Sequence, residues 1–128
     1  MKKLFITLAV CLIAAPALAA GTATTVVGPY SVETRLSPLG AEISVDGMIS
    51  EGLACEQMLV DISLAEAKSG QSTSINSTID RYRASAKERF SGSAAKPAVG
   101  ATFDDWYIKN ITIQCVNKGV ATPYSANP

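Results

Sequence analysis

Ala41-Glu42-Ile43-Ser44-Val45-Asp46-Gly47-Met48-Ile49-Ser50 is the stretch that decides the fold. Ala41, Ile43, Val45, Gly47 and Ile49 alternate with Glu42, Ser44, Asp46, Met48 and Ser50. Successive side chains of a strand point to opposite faces, so this period of two marks a half-buried β-strand. The same period recurs on both sides. Upstream, Tyr30, Val32, Thr34 and Leu36 alternate with Ser31, Glu33 and Arg35, between the turn residues Gly28-Pro29 and Pro38-Leu39-Gly40. Downstream, residues 51–55 form a connection ending at Cys55. Met58, Val60, Ile62 and Leu64 then make another apolar face before the turn Lys68-Ser69-Gly70.

Residues 72–90 admit two readings. Thr73, Ile75, Ser77 and Ile79 alternate as in a strand, whereas Ile75, Ile79, Tyr82, Ala86 and Phe90 lie at helical spacing. The period of two elsewhere favours two strands, 72–80 and 86–92. The alternative is an α+β fold with a helix near 76–90. A loop over 93–105 leads to a last strong strand, Trp106 to Val116. Ile111, Ile113 and Cys115 share one of its faces, and Trp106 and Ile108 the other, unless a bulge near Lys109-Asn110 changes the phase. The polar tail from Asn117 to Pro128 is expected to fray. About seven short strands separated by turns predict an all-β, immunoglobulin-like β-sandwich. The antibody signature is absent: Trp106 precedes the second cysteine, and Ile113 stands two places before it instead of tyrosine.

The segment Ile43-Ser44-Val45-Asp46-Gly47-Met48-Ile49-Ser50 resembles the "V-x-G-x-V-x-N" opening of the FxLYD-like bacterial extracytoplasmic domains. Such domains continue with a strand, a glycine turn, a strand and a turn leading to phenylalanine. Here these correspond to Met58 to Leu64, Gly70, Thr73 to Ile79 and Phe90. Ile62-Ser63-Leu64-Ala65-Glu66 stands where the family has its aromatic and acid. The resemblance covers roughly residues 41–115. It implies an accessory extracytoplasmic domain and no catalytic residue to carry over.

Residues 1–19 read as a secretory signal peptide: Lys2-Lys3, an apolar run from Leu4 to Ala14, and Ala17-Leu18-Ala19 as the cleavage site. The run is too short to span a bilayer stably. Val10 before Cys11 does not suit lipidation. Residues 20–128 are then one domain in the periplasm or outside the cell, with nine basic and eleven acidic side chains. A net charge of −2 gives no footprint for nucleic acid. Cys55 and Cys115 remain as the two thiols, and an oxidising compartment predicts a structural bridge between them. Closing that loop stabilises the fold by about 4 kcal/mol in the chain-entropy model. Such a bridge is expected to pin one sheet to the other.

The chain contains no histidine, which removes Ser-His-Asp and Cys-His catalysis and the commonest zinc ligand. No glycine-rich phosphate loop occurs, and neither a cofactor nor a metal is expected. Glu33, Glu42, Asp46, Glu51, Glu56 and Asp61 fall on expected outer faces or in turns. Asn76-Ser77-Thr78 and Asn110-Ile111-Thr112 match the glycosylation acceptor pattern by chance in a chain with a bacterial-type leader.

Two groups are candidate contact sites. Arg81, Arg83, Lys87 and Arg89 are all odd-numbered, and in an extended chain would form a basic stripe for an anion or acidic partner. The plainer reading is a solvated outer face that discourages edge pairing. Asp104 and Asp105 precede Trp106 and Tyr107 and suggest a ligand-contacting loop, or a polar turn leading to a core-facing tryptophan.

The expected function is therefore non-catalytic: a periplasmic or secreted accessory module that binds another envelope protein. One alternative is a pilin-like assembly subunit with Gly21 to Val27 as a free strand that completes a neighbour's sheet. The other is a small periplasmic inhibitor or immunity protein using the 93–105 loop.

Overall fold

The computed structural model describes residues 22–37, 41–96 and 105–128. The expected signal segment 1–19, the expected turn at Pro38-Leu39-Gly40, Asp104 and most of the expected 93–105 loop lie outside these. Eight strands are present: β1 (Thr22–Val27), β2 (Tyr30–Ser37), β3 (Glu42–Ser50), β4 (Cys55–Glu66), β5 (Ser72–Tyr82), β6 (Glu88–Ala95), β7 (Trp106–Asn117) and β8 (Val120–Ala126). They form two antiparallel sheets, ordered β1-β2-β3-β6 and β5-β4-β7-β8. With β2 as strand A, this is A-B-E facing C′-C-F-G, an immunoglobulin-like order with β1 added beside A.

The period of two builds both inner faces. Tyr30 and Val32 of β2, Ile43, Val45 and Ile49 of β3, Met58, Val60, Ile62 and Leu64 of β4, and Ile111 and Ile113 of β7 are all buried in one core. Glu33, Glu42, Asp46, Glu51, Glu56 and Asp61 are all exposed, as expected. The sheets approach closely where side chains are small. A Cβ on Gly92 would lie 2.4 Å from Ile75 of the opposite sheet, and one on Gly47 would lie 2.3 Å from the Phe90 ring. Both glycines supply the space that a neighbouring large side chain fills.

Residues 72–90 form two strands joined by a turn, with no helix; β5 runs to Tyr82, and β6 starts at Glu88 and reaches Ala95, inside the expected loop. The bulge near Lys109 is real. Ser63 pairs with Asn110 but Leu64 pairs with Ile108, so Lys109 is the extra residue. The phase therefore flips, and Trp106 and Ile108 join Ile111, Ile113 and Cys115 against the core instead of facing away from them. The indole N–H of Trp106 is buried there with no hydrogen-bond partner among the described residues.

Three further expectations are corrected. Residues 120–126 are not frayed but form β8, because Lys118 and Gly119, with φ of 51° and 77°, make the two-residue turn that suits a hairpin. Residues 22–27 are not a free strand: β1 pairs with β2 across the Gly28-Pro29 turn, where Gly28 has φ 59°. The Cys55–Cys115 bridge, with Cα atoms 5.3 Å apart, joins neighbouring strands of one sheet and does not pin the two sheets together. Among the described residues, no helix is long and apolar enough to cross a membrane.

Candidate functional site

The two ends of β4 mark the two poles of the sandwich. Cys55 lies at one end and Glu66 at the other. At the Cys55 pole, Glu56 and Gln57 are both exposed, so the strand skips one phase and both Cys55 and Met58 face the core. The neighbouring strand makes the same skip. Arg81 takes φ 57°, Asp80 and Arg81 are both exposed, and Tyr82 is turned inward. Tyr82 and Tyr124 each meet Tyr30 edge to face, with ring centroids 5.6 Å and 5.7 Å away.

These rings hold the turns of this pole. The Tyr30 hydroxyl donates to the Leu53 carbonyl at 3.1 Å and lies 3.2 Å from Cys55 Sγ. The Tyr82 hydroxyl donates to the Glu51 carbonyl at 2.6 Å. Burial, then the proximity of Tyr30, Glu88 and Glu51, pushes the Tyr82 pKa up to about 12. Burial and the nearby Tyr124 also raise the Tyr30 pKa, against the opposing effect of the hydrogen bond to Leu53. The β3–β4 connection turns through Glu51 and Gly52 with φ of 65° and 82°. A Cβ on Gly52 would lie 2.5 Å from the Tyr30 ring, so the loop backbone rests directly on that ring. Asn117 Nδ2 donates to the Ala54 carbonyl at 3.1 Å, and Asn117 Oδ1 accepts the Glu56 N–H at 2.9 Å. The Lys118 N–H donates to Glu56 Oε1 at 2.8 Å.

A rigid end of the sandwich thus carries the β1–β2, β3–β4 and β7–β8 turns side by side. Val26 (69 % exposed), Leu53 (56 %) and Val120 (64 %) project from it. These are three of the four large hydrophobic side chains left exposed among the described residues; the fourth, Tyr107, lies toward the other pole. Apolar side chains on loops held by rings and a disulfide suit contact with a protein surface, because ordering them on binding costs little further entropy.

At the opposite pole Glu66 is buried, with 1 % of its surface exposed. Its Oε1 accepts the N–H groups of Lys68 (2.9 Å) and Ser69 (2.6 Å), and Oε2 accepts that of Asp105 (2.9 Å). Burial acts to raise the Glu66 pKa, but the donors from Ser69, Asp105 and Lys68 outweigh it, so the pKa lies below the ordinary value. One carboxylate thereby ties the β4–β5 turn to the start of β7.

The basic stripe does not form. The kink at Arg81 breaks the odd-numbered phase, Arg83 and Lys87 sit exposed in the connection between the two sheets, and Arg89 lies on β6. Arg89 instead lines a cavity of about 470 Å³ with Arg35, Asp46, Ser77 and Ser91, where charges of both signs meet. Asp105, Trp106 and Tyr107 do not all face solvent. Asp105 is exposed and contributes its backbone to Glu66, Trp106 is buried and Tyr107 is exposed. No group of three or more metal-capable side chains is present among the described residues. The pole formed by Val26, Leu53 and Val120 was missed in the sequence because these residues are far apart along the chain. The one signal was an apolar residue beside each turn near the cysteines. No family model, curated protein or solved structure matches this chain.

Proposed function

We propose that this protein is a non-catalytic, periplasmic or secreted accessory module that binds another envelope protein through the disulfide pole. One observation carries the reading: Val26, Leu53 and Val120 stand exposed on or beside turns at the end of the sandwich where the Cys55–Cys115 bridge and the Tyr30, Tyr82 and Tyr124 rings lie. Burying one such side chain in an interface contributes about 1.5–3 kcal/mol, so the three together make a usable anchor. Their turns also carry Glu51, Glu56 and Lys118 as a polar rim.

The test is affinity capture from the protein's own envelope extract, with mass spectrometry of the retained material. A single dominant envelope protein is expected. Leu53→Glu or Val120→Glu should weaken its retention by about tenfold or more, whereas Tyr107→Glu at the other pole should not. Equal loss with all three variants, or retention unaffected by any, overturns the assignment of this pole.

A further inference from the structure

The four sheet edges differ. On β6 the edge opens with Glu88 and Arg89, and on β5 it ends at Asp80 and the left-handed Arg81. On β8, Asn117 and Val120 flank a two-residue turn and so form a hydrogen-bonded pair, which directs the backbone of residues 121, 123 and 125 outward. Residue 123 is proline and offers no N–H. Charge at the start of β6 and proline in β8 therefore guard two edges against strand addition, while β5 is uncharged over Ser72–Ile79 and is broken only at its end by Asp80 and Arg81. Thr22-Ala23-Thr24-Thr25-Val26-Val27 of β1 has no charge, proline, glycine or left-handed residue.

The same geometry shows which groups of β1 are free. Val27 and Tyr30 flank the Gly28-Pro29 turn as a hydrogen-bonded pair, so residues 23, 25 and 27 face β2. The Thr34 hydroxyl donates to the Ala23 carbonyl at 3.5 Å, in agreement. The N–H and C=O groups of Thr22, Thr24 and Val26 are then the ones turned to the open edge.

We propose that this edge pairs antiparallel with β1 of a second copy, about a two-fold axis at Thr24. A two-fold axis normal to the sheet keeps each side chain on its own face, so paired residue numbers must add to an even number. Centring on Thr24 pairs Thr24 with Thr24 and Val26 with Thr22, and satisfies all the outward backbone groups of Thr22, Thr24 and Val26. Centring on Thr25 would leave those of Thr22 unpaired. The Thr24 register also sets threonine against threonine and, on the inner face, Thr25 against the small Ala23, pairs that suit cross-strand packing. The contact is isologous and closes at two copies. It uses the backbone of Val26, whose side chain also belongs to the partner surface, and leaves Leu53 and Val120 outside the contact.

The test is sedimentation velocity of the secreted, disulfide-intact chain over a wide concentration range. A reversible monomer–dimer equilibrium is expected. Thr24→Lys, an exposed substitution, should raise the dimer dissociation constant about tenfold or more while leaving the melting temperature of the dilute, monomeric protein unchanged. Thr24→Cys should cross-link to itself under mild oxidation, and Val26→Cys, which faces Thr22, should not. A wild-type chain that stays monomeric, a Thr24→Lys chain that dimerises unchanged, open-ended multimers, or cross-linking through Val26→Cys instead would each overturn the proposal. Capture of the envelope partner by Thr24→Lys at the wild-type level is the expected companion result. Its loss would mean that a foreign strand, not a second copy, occupies this edge.

Discussion

The two poles of this sandwich are secured by opposite kinds of chemistry. At one, a covalent bridge and three tyrosines packed edge to face hold the turns, and hydroxyl groups reach the Leu53 and Glu51 carbonyls. At the other, a single buried carboxylate collects N–H groups from Lys68, Ser69 and Asp105. The first pole fills its space with rings and leaves apolar side chains outside. The second fills its space with a charge and relies on backbone donors to keep it there. The lesson is that the end proposed to bind a partner is held mainly by a covalent bridge and rings, and the other end mainly by one buried carboxylate.

The largest effect that would break this contrast is at the bridge. Replacing Cys55 and Cys115 together by serine should cost up to about 4 kcal/mol, because the closed loop spans 60 residues. Urea denaturation checks this, and a loss under about 1 kcal/mol would show that the tyrosines alone secure the pole. Next is a pair of glycines. Gly52→Ala must push against the Tyr30 ring at a φ of 82° and should cost about 3 kcal/mol. Gly70→Ala, at the Glu66 pole with φ 75°, meets nothing within 4 Å and should cost about 1 kcal/mol. Equal losses would mean that ring contact adds nothing to backbone strain.

Third is the response to acid. The Glu66 pKa is lowered in the folded state from an ordinary value of 4.5. The unfolded chain therefore takes up that proton first. Stability from Glu66 is present above pH 4.5 and declines as pH falls through the lower folded value. Glu66→Gln should be less stable at neutral pH and should lose less on acidification, as thermal melts between pH 7 and pH 3 would show. Parallel acid limbs for the two proteins would place the titration elsewhere.

The smallest effect is at Tyr82. Its folded pKa of about 12 exceeds the ordinary 10.0, so its contribution is complete below pH 10 and is lost as pH rises toward 12. Tyr82→Phe should cost about 1 kcal/mol at neutral pH for the lost hydrogen bond to Glu51. It should also remove one late-titrating step from a tyrosinate absorbance titration. The two poles thus weaken at opposite ends of the pH scale.

Much of the architecture was legible because alternation is local. Val45 between Ser44 and Asp46 reports its own face, and so did nearly every strand from β2 to β7. Ambiguity at 72–90 arose because Ile75, Ile79 and Tyr82 satisfy both periods, and the tertiary outcome depended on β4 offering Met58 and Ile62 as partners for Ile79 and Ile75. The basic stripe failed because Arg83 and Lys87 lie in the connection between the two sheets and Arg89 lies on β6. Arg81 in the left-handed region shifts the phase by one, and nothing in its residue type announces that. The tail was misread because Lys118-Gly119 is a turn whose value depends on a neighbouring strand being present.

What the amino-acid order determined by itself is the period of two, the positions of most turns and the two cysteines available to pair. These depend on residues within a few positions of one another. Only the tertiary structure decided which strands share a sheet, and therefore that the bridge lies within one sheet. It also decided that Glu66 is buried and that Val26, Leu53 and Val120 lie exposed at one pole. Each of those outcomes requires segments distant in the chain to be brought together, and a linear pattern carries no record of that proximity.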